Sequence, residues 1–183
     1  MGAIRDALDR AREAAVTRPA PVRPDTQLRF LLRTEKGSTA AVAARLGVSQ
    51  RTVQRWIKGV QTPKGPNADR LKSEAARSWQ PKVKERAERQ AAARGVVIET
   101  RARFGFTSAA GSTDDARLRR ITQHITPENS SAAFAAYRAG ASEEELQAIV
   151  GGALGESYFR DHNQRAHDLD VEITDIDYID VAY

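Results

Sequence analysis

The chain contains no cysteine. Disulfides, cysteine-ligated zinc and thiol nucleophiles are excluded, and a reducing compartment fits the composition. No apolar run approaches the ~20 residues of a membrane-spanning helix, and the N-terminus has no apolar signal core. A soluble, cytoplasmic protein without membrane partners is expected. Aromatic residues are sparse, with two Trp, five Phe and four Tyr in 183 residues. Each is expected to serve packing or an interface.

Motifs that carry chemistry are also sparse. There is no GxxxxGK[ST] phosphate loop, and "GFTSAAG" lacks the glycine spacing and the helix of a dinucleotide fingerprint. The three histidines, His124, His162 and His167, do not have zincin spacing. His162 and His167 near Asp161, Asp168 and Asp170 read better as a solvated turn than as metal ligands. In "DIDYID", Asp175, Asp177 and Asp180 are close enough in sequence to suggest a nuclease-like Mg²⁺ site. Carboxylates on an edge-like strand also block aggregation, which is the preferred reading. An independent enzyme is not supported, and no cofactor or metal of its own is expected.

What is present is charge, unevenly distributed. Residues 1–90 hold 20 Lys/Arg against 9 Asp/Glu, and residues 121–183 hold 3 against 12. A basic front half suits a polyanion, and an acidic rear half suits protein contacts.

The chain begins with an amphipathic stretch, "GAIRDALDRAREAAV", followed by the proline-rich "TRPAPVRP", a stiff linker. A helix restarts at "DTQLRFLLR", with Asp25 as its expected N-cap. Residues 38–59, "STAAVAARLGVSQRTVQRWIKG", are the strongest local signal. Val42, Ala43 and Leu46 form one apolar face, Gly47 suits a left-handed turn, and Ser49 caps a second helix. Val53, Trp56 and Ile57 are expected to point inward. Ala43 stands four residues before Gly47 and Val53 six after it, which is helix-turn-helix spacing. Ser49, Gln50, Arg51, Thr52, Gln54, Arg55 and Lys58 form the outward face, with side chains suited to base edges and phosphates. Two more helices are expected, from about 67 to 79 and from Pro81 through "PKVKERAERQAAAR".

After Gly95 the period falls to two. Val96, Ile98, Thr100, Ala102, Phe104 and Phe106 alternate with Val97, Glu99, Arg101 and Arg103, as on a half-buried strand. "LDVEITDIDYIDVAY" reads as one or two further strands, its acids facing the basic strand. Helices are expected at about 114–125, 128–139 and 142–160, the last capped by Ser142. The expected fold is mainly α, with an N-terminal helix-turn-helix domain and a small α+β rear part of two or three strands. The expected organisation is 1–24, an N-terminal helix and linker; 25–94, the helix-turn-helix region with basic helices; and 95–183, an α+β domain.

The stretch "GSTDDARLRR", residues 111–120, has two readings. In one, Ser112 or Thr113 caps a helix whose positive end is favoured by Asp114 and Asp115. In the other, the small-residue loop "TSAAGSTDD" presents accessible hydroxyls beside Arg117, Arg119 and Arg120.

The blocks "MGAIRDALDRA", "QLRFLLRTEKGSTAAVAARLGVSQRTVQRWIKG", "IETRARFGFTSAAGSTDDARLRRI", "YFRD" and "EITDIDYID" together resemble the telomere terminal proteins (Tpg family) of linear streptomycete chromosomes and plasmids. The resemblance spans essentially the whole chain. It implies a protein primer covalently attached to DNA 5′ ends, the first deoxynucleotide being joined to a threonine hydroxyl. Thr113 is the matching position, Ser112 is the runner-up, and Asp114 and Asp115 are candidates for assistance. It also implies a telomere-associated DNA-binding partner and a cellular DNA polymerase that brings Mg²⁺ and catalyses the transfer. The expected location is the bacterial nucleoid, at chromosome or plasmid ends. The acidic rear part is a candidate surface for these partners or for a homo-oligomer. The rival function is a helix-turn-helix transcriptional regulator with an acidic dimerisation domain.

Overall fold

The computed structural model describes residues 2–107, 117–162, 164 and 169–183. The helices are α1 (Ala3–Ala14), α2 (Pro24–Thr34), α3 (Thr39–Leu46), α4 (Gln50–Ile57), α5 (Pro66–Ser78), α6 (Pro81–Arg94), α7 (Pro127–Ala139) and α8 (Glu143–Leu154). The strands are β1 (Val96–Thr107), β2 (Arg117–Ile125) and β3 (Asp170–Ala182). A π-helical turn, Gly155–Phe159, extends α8. A helical front with a helix-turn-helix and a mixed rear with a three-stranded sheet are what the sequence pattern leads one to expect.

Two compact units form: Met1–Ala15 with Lys84–Tyr183, and Val16–Val83. This division differs from the expected grouping of 1–24, 25–94 and 95–183. The apolar stripe of α1, Ile4, Ala7 and Leu8, is buried in the core of the mixed unit. Glu143 Oε1 accepts the Ile4 backbone N–H at 2.6 Å, which compensates for the lack of a side-chain cap at Gly2. Arg10 Nη2 donates to the Ile179 carbonyl at 2.7 Å. The first helix is therefore joined to the last strand by contacts that hydrophobic periodicity along the chain does not reveal. Helix α6 joins the same unit through Ala91, and its buried Glu88 accepts from Arg138 Nη1 at 2.7 Å. The proline-rich segment belongs instead to the helical unit, where Trp79 donates its indole N–H to the Arg18 carbonyl at 2.8 Å.

In the mixed unit the sheet is antiparallel, in the order β2-β1-β3. Its buried face carries Val96, Ile98, Thr100, Ala102 and Phe104 of β1, Ile121 and Ile125 of β2, and Val171, Ile173, Ile179 and Val181 of β3. The core is completed by α1, Phe134 of α7, and Leu146, Val150, Ala153 and Leu154 of α8. Thr100, the buried polar residue of β1, donates its hydroxyl to the Tyr178 carbonyl at 2.8 Å. Helix α8 approaches β3 closely at Gly151, where a Cβ would stand 2.9 Å from the Val171 carbonyl oxygen. Ser142 caps α8 with the reciprocal Glu145 bond of a capping box.

The helix expected at about 114–125 is a correction: Arg117–Ile125 is strand β2, paired along its length with β1. Ile121 and Ile125 are buried while Leu118, Arg120, Thr122 and His124 are exposed. A four-residue spacing of apolar side chains is compatible with both helical and strand periods. Pairing with β1 decides the outcome here. A smaller correction concerns α2, whose N-cap is Arg23 with Pro24 at the first helical position, while Asp25 sits in the first turn and pairs with Arg23 at 3.1 Å.

The imperfect alternation of "DIDYID" also has a structural cause. Arg101 faces Tyr178, Ala102 faces Ile176 and Arg103 faces Thr174, so Asp177 and Asp175 are each left over in two successive register shifts. Asp175 takes the left-handed conformation, with φ of 47°.

Candidate nucleic-acid interface

The helical unit is built around Leu28, Leu31, Val42, Ala43, Leu46, Val53, Trp56 and Leu71. Ser38 begins α3 by accepting the Ala41 N–H at 3.1 Å. Gly47 ends that helix in the left-handed region, with φ of 63°. Ser49 then begins α4 by accepting the Thr52 N–H at 3.2 Å. Val48 packs under the turn. Ala43 and Val53, the two positions of the spacing argument, are 3% and 0% exposed. The small Ala43 side chain lets α3 and α4 approach closely.

Ile57 is not inward as expected. It is 47% exposed, whereas Val53 and Trp56 carry the buried stripe. One residue beyond Trp56 lies about 100° further round the helix, and the indole already occupies the inward position.

The outward face divides into two groups. Ser49, Gln50 and Thr52 hold the turn: Ser49 Oγ and Thr52 Oγ1 share a hydrogen bond at 2.8 Å, and Gln50 Nε2 donates to Thr39 Oγ1 at 2.8 Å. Arg51, Gln54, Arg55 and Lys58 are exposed. Among the described residues, Arg51, Arg55 and Lys58 have no ion-pair partner. Arg45 is different. Its Nε meets Glu74 at 2.6 Å and its Nη1 meets Glu35 at 3.1 Å. Burial works to lower the Arg45 pKa, but the bonds to Glu74 and Glu35 together raise it. Glu74 also holds Arg77 at 2.8 Å. Glu35, Glu74 and Asp25 are thus spent on internal pairs. Residues 16–83 carry 14 Lys/Arg against 4 Asp/Glu, leaving the free cations of α4 on a strongly positive unit.

This arrangement suits duplex DNA. An eight-residue helix such as α4 is ~12 Å long at 1.5 Å per residue, close to the ~12 Å width of the major groove. Arginine reads guanine edges bidentately, and lysine and arginine neutralise phosphates.

The other candidate residues fall elsewhere. Ser112, Thr113, Asp114 and Asp115 lie outside the described residues, in the connection between β1 and β2. The carboxylates proposed for metal are engaged with arginines: Asp177 Oδ2 is 3.3 Å from Arg101 Nε, and Asp175 Oδ2 is 3.4 Å from Arg103 Nε. These are the cross-strand pairs expected between a basic and an acidic strand. Among the described residues, no group of three His, Asp or Glu side chains is placed to hold a metal ion. His124 is exposed on β2, and His162 lies beyond the π-helical turn with φ of 54°. His167 and Asp168 are outside the described residues.

Two features escape the sequence reading. One is a cluster on the exposed sheet face in which Glu99 of β1 accepts from Arg120 of β2 at 2.6 Å and from the Tyr178 hydroxyl of β3. Only the strand order brings these three together. The other is a cleft of about 390 Å³ after α4, lined by Trp56, residues 59–64 and Asn67. "VQTPKGP" signals a chain break and nothing more.

Comparison with known families finds the Homeodomain-like domain over residues 21–68. That span begins in the proline-rich segment and ends in the first turn of α5, so it covers the helix-turn-helix and lies wholly within the helical unit. The match supports DNA binding by this part of the chain. No curated protein and no solved structure matches the chain. Among the described residues, no helix is long and apolar enough to cross a membrane.

Proposed function

We propose that this protein is a DNA-end-binding protein primer of the telomere terminal kind. Its helical unit holds duplex DNA, and Thr113 in the mixed unit accepts the first deoxynucleotide. The observation that carries the reading is the helix-turn-helix with three uncompensated cations on its outward face, in a chain that also bears the "ETRARFGFTSAAGSTDD" block. Further support comes from the chain path. The block begins on β1, and Ser112 and Thr113 fall between β1 and β2 in the order of the sequence.

The chemistry assigned to the chain is that of an acceptor. The Thr113 Oγ attacks the α-phosphorus of a deoxynucleoside triphosphate. An Oγ–P bond forms, the α–β phosphoanhydride bond breaks, pyrophosphate leaves, and the hydroxyl proton passes to a base in the polymerase site. A threonine hydroxyl is weakly nucleophilic at its free pKa, so activation belongs to the partner polymerase and its Mg²⁺. A telomere-associated DNA-binding partner would bring the chain to the end of the replicon.

The test is direct. The full chain is incubated with DNA polymerase, a replicon-end template and a labelled deoxynucleoside triphosphate, and the labelled peptide is mapped. Covalent label on residues 108–116 is the expected result. Sequence-specific duplex binding with no label under any template would instead support the transcriptional regulator.

A further inference from the structure

Helix α6 has two unlike sides. Ala91 sits in the core of the mixed unit, and the buried Glu88 accepts from Arg138 Nη1 at 2.7 Å, with Arg12 Nε 3.8 Å away. Arg86, Arg89 and Arg94 are exposed and form no ion pair among the described residues. Glu85 is exposed too, but it does not pair with Arg89 four residues on. Arg86 and Arg89 are three residues apart, a spacing at which like charges on a helix repel. An anion laid along this side relieves that repulsion.

The sheet uses its arginines differently. Arg101 pairs with Asp177 at 3.3 Å, Arg103 with Asp175 at 3.4 Å and Arg120 with Glu99 at 2.6 Å. Residues 1–15 and 84–183 together carry 15 Lys/Arg against 20 Asp/Glu, so the mixed unit as a whole is acidic. The unpaired arginines of α6 run against that balance.

We propose that the face of α6 carrying Arg86, Arg89 and Arg94 is a second duplex-DNA surface, one that grips phosphates without reading bases. It lies outside residues 21–68, the span of the Homeodomain-like match, and these three residues belong to the mixed unit. The inference rests on the DNA-binding reading of the helical unit and adds a contact beyond it. Duplex DNA is the polyanion that fits, because only Trp79 and Gln80 lie between α6 and the last helix of the helical unit. Once α4 holds a duplex, that short connection keeps α6 at a high local concentration of phosphates. Arg86 and Arg94 are ~12 Å apart along the helix at 1.5 Å per residue. A duplex offers one phosphate charge per ~1.7 Å of its axis, so the face can meet several at once. The contact holds the unit that carries the acceptor sequence on the same DNA as α4.

The test combines Arg86→Gln, Arg89→Gln and Arg94→Gln in the full chain and reads duplex affinity by fluorescence anisotropy across a salt series. The slope of log affinity against log salt should fall by roughly 2 to 3, and affinity should fall by a similar factor on every duplex sequence. Glutamine has a helix propensity close to that of arginine, so far-UV circular dichroism and thermal unfolding should match the parent. A second readout needs no variant: the backbone amides of Arg86 and Arg89 should shift when duplex is added to the parent chain.

An unchanged slope in the triple variant, or α6 amides that stay in place while α4 amides shift, overturns the second surface and leaves the DNA-binding reading standing. If the parent chain binds no duplex, both fall together. If the triple variant keeps its DNA affinity and loses self-association in sedimentation, the face meets the acidic strand of another copy, and the DNA assignment is overturned.

Discussion

Tyr178 on β3 donates its phenolic hydroxyl to Glu99 on β1, and the same carboxylate oxygen accepts from Arg120 on β2 at 2.6 Å. One carboxylate thus ties all three strands on the face of the sheet opposite the core. The Tyr178 bond, then the Arg120 bond, holds the Glu99 pKa below its ordinary value, and the bond to Glu99 raises that of Tyr178.

Tyr178→Phe should therefore move the Glu99 titration up toward the ordinary carboxylate range, and adding Arg120→Ala should move it further. Because the folded-state pKa is depressed, the cluster stabilises the fold above the unfolded-state value and loses that contribution as pH falls through the folded value. All three groups are exposed to water, so the effect on unfolding should be small. Carboxyl ¹³C chemical shift against pH is the measurement. An unmoved midpoint in Tyr178→Phe would mean that the bond does not persist in solution.

The aspartates of β3 predict a different separation. Asp175 and Asp177 lie at register shifts on an edge strand and form side-chain ion pairs with Arg103 and Arg101. Reversing both, together with Asp180, to lysine breaks exposed pairs worth at most about 1 kcal/mol each. The fold should survive, while association with a partner or a second copy should weaken more than DNA affinity. Sedimentation and fluorescence anisotropy measure the two separately. Loss of DNA affinity with association intact would remove β3 as an interaction edge.

Ala43 predicts the mechanical sensitivity of the helix-turn-helix. It is 3% exposed in the core shared by α3 and α4. Ala43→Leu overpacks that core and should cost about 1–3 kcal/mol. Ser49→Ala removes a cap and should cost about 1 kcal/mol. Thermal unfolding should rank Ala43→Leu below Ser49→Ala in stability, and both below the parent chain.

Arg51 and Arg55 predict the salt response. Neither has an ion-pair partner among the described residues, so each is free to displace a counterion from DNA. Replacing both with alanine should lower the slope of log affinity against log salt by roughly 2. Replacing Gln50, which is held by Thr39 at 2.8 Å, should leave the slope unchanged and act through the turn. An affinity insensitive to salt in the parent chain would contradict DNA binding through α4.

How far these features were readable in the sequence depended on whether neighbouring residues decide them. Gly47, Ser49, Ala43 and Val53 constrain one another within a few residues, and the turn forms as its spacing implies. Strand β1 is readable for the same reason, since strict alternation from Val96 onward leaves little choice. Strand β2 is not, because Ile121 and Ile125 satisfy either period and only pairing with β1 selects one. The attachment of α1 to the rear unit depends on Glu143 and Ile179, more than a hundred residues away. The cleft at Trp56 has no motif at all, because its walls meet only once the chain is folded.

Thr113 carries the final prediction. As a helix cap it would have supported the segment that follows, and its loss would have cost about 1 kcal/mol. From Arg117 onward the chain is strand β2, not helix. A loss of that size or less leaves the fold in place, so folding and DNA affinity should be retained in Thr113→Ala. What should disappear is covalent labelling by polymerase and deoxynucleoside triphosphate. Thr113→Ser keeps a hydroxyl and should retain some labelling, reduced because the methyl group no longer restricts the χ1 rotamer of the Oγ. Ser112→Ala should label fully. The opposite pattern, with Thr113→Ala labelled and Ser112→Ala silent, would place the acceptor one residue earlier. Full labelling of the double mutant would separate residues 112 and 113 from the chemistry altogether, and the DNA-binding unit would then have to be explained by the regulator reading.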